Sequence, residues 1–493
     1  MRVLAFVLFL LTLCGARAAT PPDLVLQGEL HGEDMHTYKR VPIKVPAGVS
    51  RITINVEYTG KQEHTVVDLG LLGADGQLVG WSGGNKKLIT ISAVDATPSY
   101  IPTPTVAGTW NLLLGIPNIR PRSIAAYTAQ VWFSRSLNAA DEPEILRQPL
   151  RREAGWYRGD LHMHTAQSDG SCKSLSGASV PCPVFVTVQA AVARKLDYIA
   201  VTDHNTSSHA NELRELQPYF DRLLLMPGRE VTTFYGHANL FGTMAPINFR
   251  VAKGDHADWN DLLDEIGKLG GVFSVNHPRS PTGEICMGCG WGNDADLSRI
   301  QAVEAVNGVD ADSMLFSGVP FWQDQLQKGL RPTAIGGSDN HEGGGGTKHP
   351  VGMPTTVVYA EELSQVAILN GIRLGHVFVD TDGSHDRLLE FTAQLDGGAR
   401  AMMGDSLVAP HGKAVRFEVH VAHAPGSTIR LIEDARDVNL LHDAAVSGDD
   451  AVRSFSWTSD GKRHWIRVEV RDASGHLALL GNPIYLNPQL PLH

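Results

Sequence analysis

From Thr20 to about Arg135 the chain runs in short stretches that alternate apolar and polar residues, with turn residues between them. Arg51 to Tyr58 (RITINVEY), Thr65 to Leu72, Asn111 to Leu114 and Ala126 to Phe133 carry the strand pattern, punctuated by Gly73 to Gly76 and Gly83-Gly84. Residues 19–135 are therefore expected to form an N-terminal β-sandwich, and no metal-ligand or nucleophile constellation falls in it. A polar stretch, residues 136–155, reads as a linker. From 156 to 385 the pattern changes: the helix-like stretch Val184 to Leu196 precedes the apolar run Tyr198 to Val201, Trp259 to Leu269 precedes Val272 to Val275, and Phe321 to Leu330 precedes Thr333 to Ile335. Repeated helix-then-strand order predicts an α/β unit of parallel strands with crossover helices, as in a barrel. Alternation returns in Val415 to Val421, Thr428 to Ile432 and His464 to Val470, so residues 386–493 are expected to form a C-terminal β-sandwich of immunoglobulin-like size.

The length of 493 residues agrees with about three domains at about 150 residues each. With 43% hydrophobic and 19% charged residues the chain is not disordered, a coiled coil, a collagen or a polytopic membrane protein. The net charge of −11 argues against a nucleic-acid scaffold held by a basic surface.

Residues 1–18 read as a secretory signal: Arg2, an apolar run from Val3 to Leu13, and the A-x-A site Ala16-Arg17-Ala18. The run is too short for a transmembrane helix, and the bulky Leu13 before Cys14 fits lipidation poorly. A periplasmic or secreted location follows. Outside the cytoplasm the other cysteines suit disulfides, Cys172 with Cys182 and Cys286 with Cys289. The rival, one zinc held by all four thiolates, has poor spacing in the first pair.

The chemistry-bearing residues sit at or just after the central strands. His162 and His164 in Asp160-Leu161-His162-Met163-His164-Thr165 stand at i and i+2, on one face of an extended backbone, and can hold one ion together. Asp169 follows on a loop. Thr202-Asp203-His204-Asn205, Gly228-Arg229-Glu230, Gly236-His237, Asn276-His277-Pro278 and Ser338-Asp339-Asn340-His341 come next. A lone strand-end histidine is usually a hydrogen-bonding residue. A succession of His, Asp and Glu elements, nearly all at strand C-termini, points instead to metal chemistry, since barrel enzymes build their sites at that face. Neither G-x-S-x-G nor G-x-x-x-x-G-K-[ST] occurs, which sets aside a serine hydrolase and a P-loop enzyme.

The ordered set D-L-H-M-H-T…S-D-G, T-D-H-N, G-x-E, G-H, N-H-P and S-D-N-H resembles the PHP superfamily, named for polymerase and histidinol phosphatase. The cysteine-bearing segments around Cys172, Cys182, Cys286 and Cys289 are similar to its CehA/McbA-type metallohydrolases. The resemblance covers residues 156–380 and implies a distorted (β/α)7 PHP barrel holding two or three divalent metals, zinc, manganese or iron. It implies His162, His164, Glu230 and Asp339 as ligands of one metal. Glu230 would bridge to a second with His237 and His277, and Asp169, His204 and His341 would hold a third.

The implied activity is that of a secreted, multinuclear metal-dependent hydrolase acting on a small-molecule ester, a phosphoesterase using a metal-bridging hydroxide. Hydrolysis of an aryl carbamate or carboxyl ester at the same metals is the alternative, and a non-catalytic extracellular binding protein a third. With Glu230 as a catalytic residue, Asp203, beside His204, is expected as an orienter or proton shuttle, and Arg279 as a partner for a substrate phosphate or carboxylate. Each also has a plain reading, as a turn residue and a surface arginine. The run Gly343 to Gly346 before Lys348 and His349 reads as a mobile lid, an anion nest or a flexible solvent loop. Asn205 and Asn340 are substrate-binding candidates, and Trp291 either walls an apolar substrate or packs its loop.

Overall fold

The computed structural model describes residues 20–252, 254–284, 286–291, 295–344 and 349–488. The expected signal at 1–18, Cys14, Gly345, Gly346 and Lys348 lie outside the described residues.

The alternating N-terminal runs fold into two four-stranded antiparallel sheets. One is ordered Leu24–His31, Ile124–Ser134, Arg51–Tyr58, Leu88–Ser92, the other Tyr38–Val45, Gly108–Asn118, Val66–Leu72, Leu78–Ser82. Every second side chain turns inward, so Leu30, Ile43, Ile54, Leu69, Leu71, Ile89, Trp110, Leu112 and Leu114 share one core.

Apart from the separate hairpin Ser171–Lys173 and Ser179–Pro181, the central strands belong to a single 15-stranded mixed sheet. Its order is Thr333–Gly337, Ala302–Asn307, Val272–Val275, Gly236–Phe241, Leu224–Thr233, Tyr198–Val201, Gly155–Asp160, Thr355–Ala360, Val377–Asp380, continuing into Leu477–Gly481 and His464–Arg471. Tyr198–Val201 runs parallel to both of its neighbours, and Ala302–Asn307 runs parallel to both of its own.

The expected (β/α)7 barrel is overturned. The protein is 41% strand and 13% helix, with five helices among the described residues. The physical reason lies in the connections. Only Phe234 and Tyr235 separate Leu224–Thr233 from Gly236–Phe241, so these strands form an antiparallel hairpin with no room for a crossover helix. Gly236–Phe241 is antiparallel to Val272–Val275 as well, despite the helix Trp259–Gly267 between them. Thr355–Ala360 pairs antiparallel on both sides.

The sheet also crosses the expected boundary at residue 385, because Phe378 pairs with Gly481 and Asp380 with Leu479. The C-terminal core packs a second sheet, Arg400–Met402, Leu388–Leu395, Ala414–Ala422 and Asp450–Thr458, against this extension of the first. Its rings Phe391, Phe417 and Phe455 stack in sequence, with centroids 5.4 and 4.9 Å apart. No helix among the described residues is long and apolar enough to cross a membrane.

The central sheet curls so that its two distant strands, Thr333–Gly337 and Gly155–Asp160, meet at their C-terminal ends. There Asp339 N donates to the His162 carbonyl at 2.8 Å, and Met163 and Asn340 form an isolated parallel bridge. This junction places the histidines of one end opposite the aspartate of the other.

Candidate metal centre

After the strand Gly155–Asp160 the backbone stays extended, and alternation sorts its side chains. Leu161 and Met163 are fully buried in two separate hydrophobic clusters, while His162 and His164 point the other way, also fully buried. Asp160 clamps the segment: Oδ1 accepts from His162 N at 3.2 Å and Ser338 N at 3.0 Å, and Oδ2 from Gly352 N at 2.8 Å.

Glu230 is the hub. Its Oε1 lies 3.4 Å from His162 Nε2, 3.4 Å from His237 Nδ1 and 3.3 Å from His277 Nε2, and accepts from Asn276 Nδ2 at 3.0 Å. Its Oε2 lies 2.6 Å from His204 Nδ1 and 3.7 Å from His164 Nε2. One buried carboxylate thus faces five imidazoles. Asp339 completes the base of the pocket, with Oδ1 at 3.3 Å from His162 Nε2 and 3.2 Å from His164 Nε2. Asp169, exposed on its loop, lies 3.6 Å from His204 Nε2 and 3.4 Å from His341 Nε2. The His164 ring stacks on those of His341 and His204 at 4.0 and 4.3 Å. Backbone strain marks the same residues: Asn205, His277 and Asp339 have φ of 54°, 25° and 54°, in or toward the left-handed region.

All nine sequence-predicted ligands are brought together. Potential ligand atoms lie within 4.8 Å of one another in the groups His162–His164–Glu230, His162–His277–Asp339 and His164–Asp169–His204–His341. His164 therefore joins the third group as well as the first. A fourth group, His237, His277, Cys286 and Cys289, adds two sulfurs beside the second expected site.

The donor chemistry fits divalent cations. His162 Nε2, His164 Nε2 and His277 Nδ1 are buried and make no hydrogen bond, the first two facing carboxylates without reaching hydrogen-bond geometry, a costly state for buried polar atoms. Among the described residues neither lysine nor arginine pairs with Glu230 or Asp339. Burial disfavours their charge, but the surrounding imidazoles, His162 foremost, hold both carboxyls well below the usual range. Burial works against protonated His162 too, yet Asp339, Glu304 and Glu230 raise its pKa well above the ordinary value. Burial lowers His164 to about 4, and the neighbouring His341 and His204 add to that against the pull of Asp339. Imidazole and carboxylate donors in this density suit zinc, manganese or iron.

Several residues singled out in the sequence do other work. Asp203 is fully buried and accepts from Thr165 N at 2.7 Å, Thr165 Oγ1 at 2.8 Å and Ser168 Oγ at 2.7 Å, with His209 Nδ1 at 3.0 Å. It ties down the turn leading to Asp169 and has no oxygen left for a substrate. Arg279 is exposed and donates to the Met314 carbonyl at 3.2 Å. Asn205 exchanges hydrogen bonds with the backbone of Thr232, and Asn340 donates to the His349 carbonyl. Trp291 packs its loop: its ring lies 4.6 Å from that of Trp259, and Nε1 donates to the His237 carbonyl at 2.8 Å. Cys286 and Cys289 are joined, whereas Cys172 and Cys182 are free thiols. Cys172 is paired with Val180 across its hairpin, and its side chain lies against that of Cys182 without a bond between them. The four sulfurs do not gather at one site among the described residues.

Sequence reasoning missed Glu304. It is buried on the strand Ala302–Asn307, with Oε1 2.9 Å from His162 Nδ1 and Oε2 accepting from His277 N at 2.9 Å and Asn307 Nδ2 at 3.0 Å. A lone acid within the apolar run Ala302 to Val306 was the available signal, because a buried charge needs a partner.

No protein-family model matches the chain, and neither does any curated protein. Among solved structures it is similar to a two-domain protein from Bacteroides vulgatus containing a predicted PHP-like metal-dependent phosphoesterase. The identity is 18% and the TM-score 0.38, over 67% of this chain and 95% of that one. It is also similar to a protein from Bifidobacterium adolescentis assigned by name as a metal-dependent phosphoesterase. Here the identity is 16% and the TM-score 0.29, over 43% of this chain and 94% of that one. Likenesses this distant do not transfer a reaction; the side chains of the pocket carry the functional reading.

Proposed function

We propose that the chain is a metal-dependent hydrolase of small phosphoesters, with two or three divalent cations held by the cluster around Glu230. The observation that supports this is the double engagement of that carboxylate, Oε1 with His162, His237 and His277 and Oε2 with His204 and His164. His162, His164, Glu230 and Asp339 would hold one cation, Glu230, His237 and His277 a second, and Asp169, His204 and His341 a third, zinc, manganese or iron. Bound there, such cations supply water that ionises near neutral pH and positive charge for the oxygens of a phosphoryl group.

The protein's own residues set the geometry. Glu304 and Asn276 fix His162 and Glu230, Asp203 fixes the turn before Asp169, and Leu161 and Met163, buried behind the two histidines, anchor the segment that carries them. Arg279, two residues beyond His277 and exposed, holds the Met314 carbonyl through one guanidinium nitrogen and is the candidate for pairing a substrate anion with the others. A periplasmic or secreted location is part of the proposal, and the Cys286–Cys289 disulfide suits that compartment.

A second reading, hydrolysis of an aryl carbamate or carboxyl ester, draws support from the exposed Phe234, Tyr235 and Met287 beside His237. They offer apolar surface to a large leaving group. The deciding experiment is product release by purified, metal-analysed protein from phosphate mono- and diesters and from aryl carbamates and carboxyl esters. Chelator-treated protein and Glu230→Ala serve as controls. Chelator-sensitive phosphate release supports the first reading; release from carbonyl esters alone replaces it with the second.

A further inference from the structure

The fourth cluster has no place in the hydrolytic scheme. Cys286 and Cys289, joined as a disulfide, sit so that their sulfurs and one nitrogen each of His237 and His277 lie within 4.8 Å of one another. Cys289 Sγ is 3.8 Å from His237 Nδ1, the same nitrogen that lies 3.4 Å from Glu230 Oε1. The other ring nitrogen, Nε2, is 3.2 Å from the Met287 carbonyl. A carbonyl only accepts, so Nε2 donates there and leaves Nδ1, which faces Glu230 and the sulfur, as the nitrogen for a cation.

The cysteine loop is pinned against this histidine. Gly236 N donates to the Gly288 carbonyl at 2.6 Å, and Trp291 Nε1 donates to the His237 carbonyl. Gly288 has φ of +84°, and a Cβ there would sit 2.4 Å from the Thr233 carbonyl oxygen. Cys289 is fully buried, while the intervening Met287 is exposed.

We infer that Cys286 and Cys289 form a redox-controlled wall of the His237–His277 pocket, which as a dithiol closes into a Cys2His2 site for zinc. The inference rests on the reading of His237 and His277 as cation ligands. Disulfide sulfur is a poor ligand, so the oxidised protein offers nitrogen and oxygen donors with a coordination position left open. Thiolates are soft and select zinc over harder cations. Four-coordinate sites of this composition are closed, whereas catalytic sites keep a position for water or substrate. Reduction therefore converts a site fit for hydrolysis into one that stores zinc.

The reductant is a dithiol. Its attack breaks the Cys286–Cys289 S–S bond, two electrons pass to the protein sulfurs, and the reagent ends as its own disulfide. Its two thiol protons end on Cys286 and Cys289. Zinc binding then releases both protons as two zinc–sulfur bonds form.

The test compares oxidised and dithiol-reduced full-length protein, with excess reagent removed anaerobically. Cobalt(II) absorption and zinc affinity by chelator competition are read on both. Reduction is expected to expose two further titratable thiols, produce a thiolate-to-cobalt charge-transfer band, and tighten zinc binding by about ten-fold or more. The band is expected to vanish in Cys286→Ser/Cys289→Ser. A reduced wild-type protein with two new thiols but no such band and unchanged zinc affinity overturns the inference. A band that persists in Cys286→Ser/Cys289→Ser arises from Cys172 or Cys182 and also overturns it. If the oxidised protein binds no cobalt, the underlying ligand reading fails. If it binds cobalt and reduction changes nothing, only the redox inference fails.

Discussion

His162 Nδ1 lies 2.9 Å from Glu304 Oε1, and both side chains are buried. The carboxylate accepts a hydrogen bond from Nδ1 and leaves Nε2 to face Glu230 and Asp339, the arrangement by which an outer carboxylate orients a metal-binding imidazole. Glu304→Ala is predicted to lower cation affinity by about 10- to 100-fold. Glu304→Gln, whose amide oxygen still accepts, should lose less. Chelator-competition titration reads both, and an unchanged affinity in Glu304→Ala would show that His162 is oriented by other contacts.

Glu230 should be indispensable, because its one carboxylate faces five histidines, His162, His237 and His277 through Oε1 and His204 and His164 through Oε2. Glu230→Ala and His164→Ala are each expected to cut turnover by at least about a hundred-fold, the scale of losing one strong electrostatic contact to a transition state. Their far-UV circular dichroism should match wild type, since the strands that carry them are held by separate apolar clusters. Activity that persists at full metal content in either variant would overturn the site assignment.

The residues of this pocket were legible in the sequence because strand ends expose chemistry in short, recognisable strings such as Asp160 to Thr165 and Ser338 to His341. The sheet around them was not. Helix-then-strand order is the same for a parallel crossover and for a helix that returns the chain to an antiparallel neighbour, as Trp259–Gly267 does before Val272–Val275. Glu304 escaped notice because its role depends on a partner 142 residues away in sequence. Asp203 was visible, but its contacts with Thr165, Ser168 and His209 depend on which way the turn after Val201 directs the side chain.

Cation binding should release protons. In the cation-free pocket burial opposes charge on His204 and His277, but Glu230 outweighs it and raises both pKa values above the ordinary histidine range of about 6.5. A cation must displace those protons, so affinity should rise as pH increases through neutrality and fall on acidification. Isothermal titration in buffers of different ionisation enthalpy measures the protons released. Zero release at pH 7 would mean that the histidines are already neutral before the cation arrives.

Chelation should destabilise the central sheet and leave the N-terminal sandwich unaffected, since the two have separate cores. A cation present at 100 times its dissociation constant stabilises the state that binds it by about 2.7 kcal/mol. Calorimetry with and without chelator should show a shift in one transition only. A uniform shift of the whole profile would mean that the sandwich and the sheet unfold as one unit.

Asp95 joins those two parts. It follows the strand Leu88–Ser92, receives Arg51 Nη2 at 2.7 Å, and pairs with Arg214 on the helix Ala210–Leu216. Asp95→Ala takes this partner from Arg214 and from the fully buried Arg51, which keeps Glu142, at an expected cost of about 1–3 kcal/mol. Burial alone would raise the carboxyl's pKa, but Arg214 and Arg51 outweigh it and hold the pKa well below the ordinary value. The ionised form is therefore favoured by folding. Its contribution is complete above the unfolded pKa of about 3.9 and is lost as pH falls through the lower folded value. The stability difference between wild type and Asp95→Ala should stay constant from pH 7 to about 5 and shrink below about 4. Urea titrations at a series of pH values read that difference. A gap that does not narrow in acid would mean that the two arginines do not stabilise the Asp95 charge.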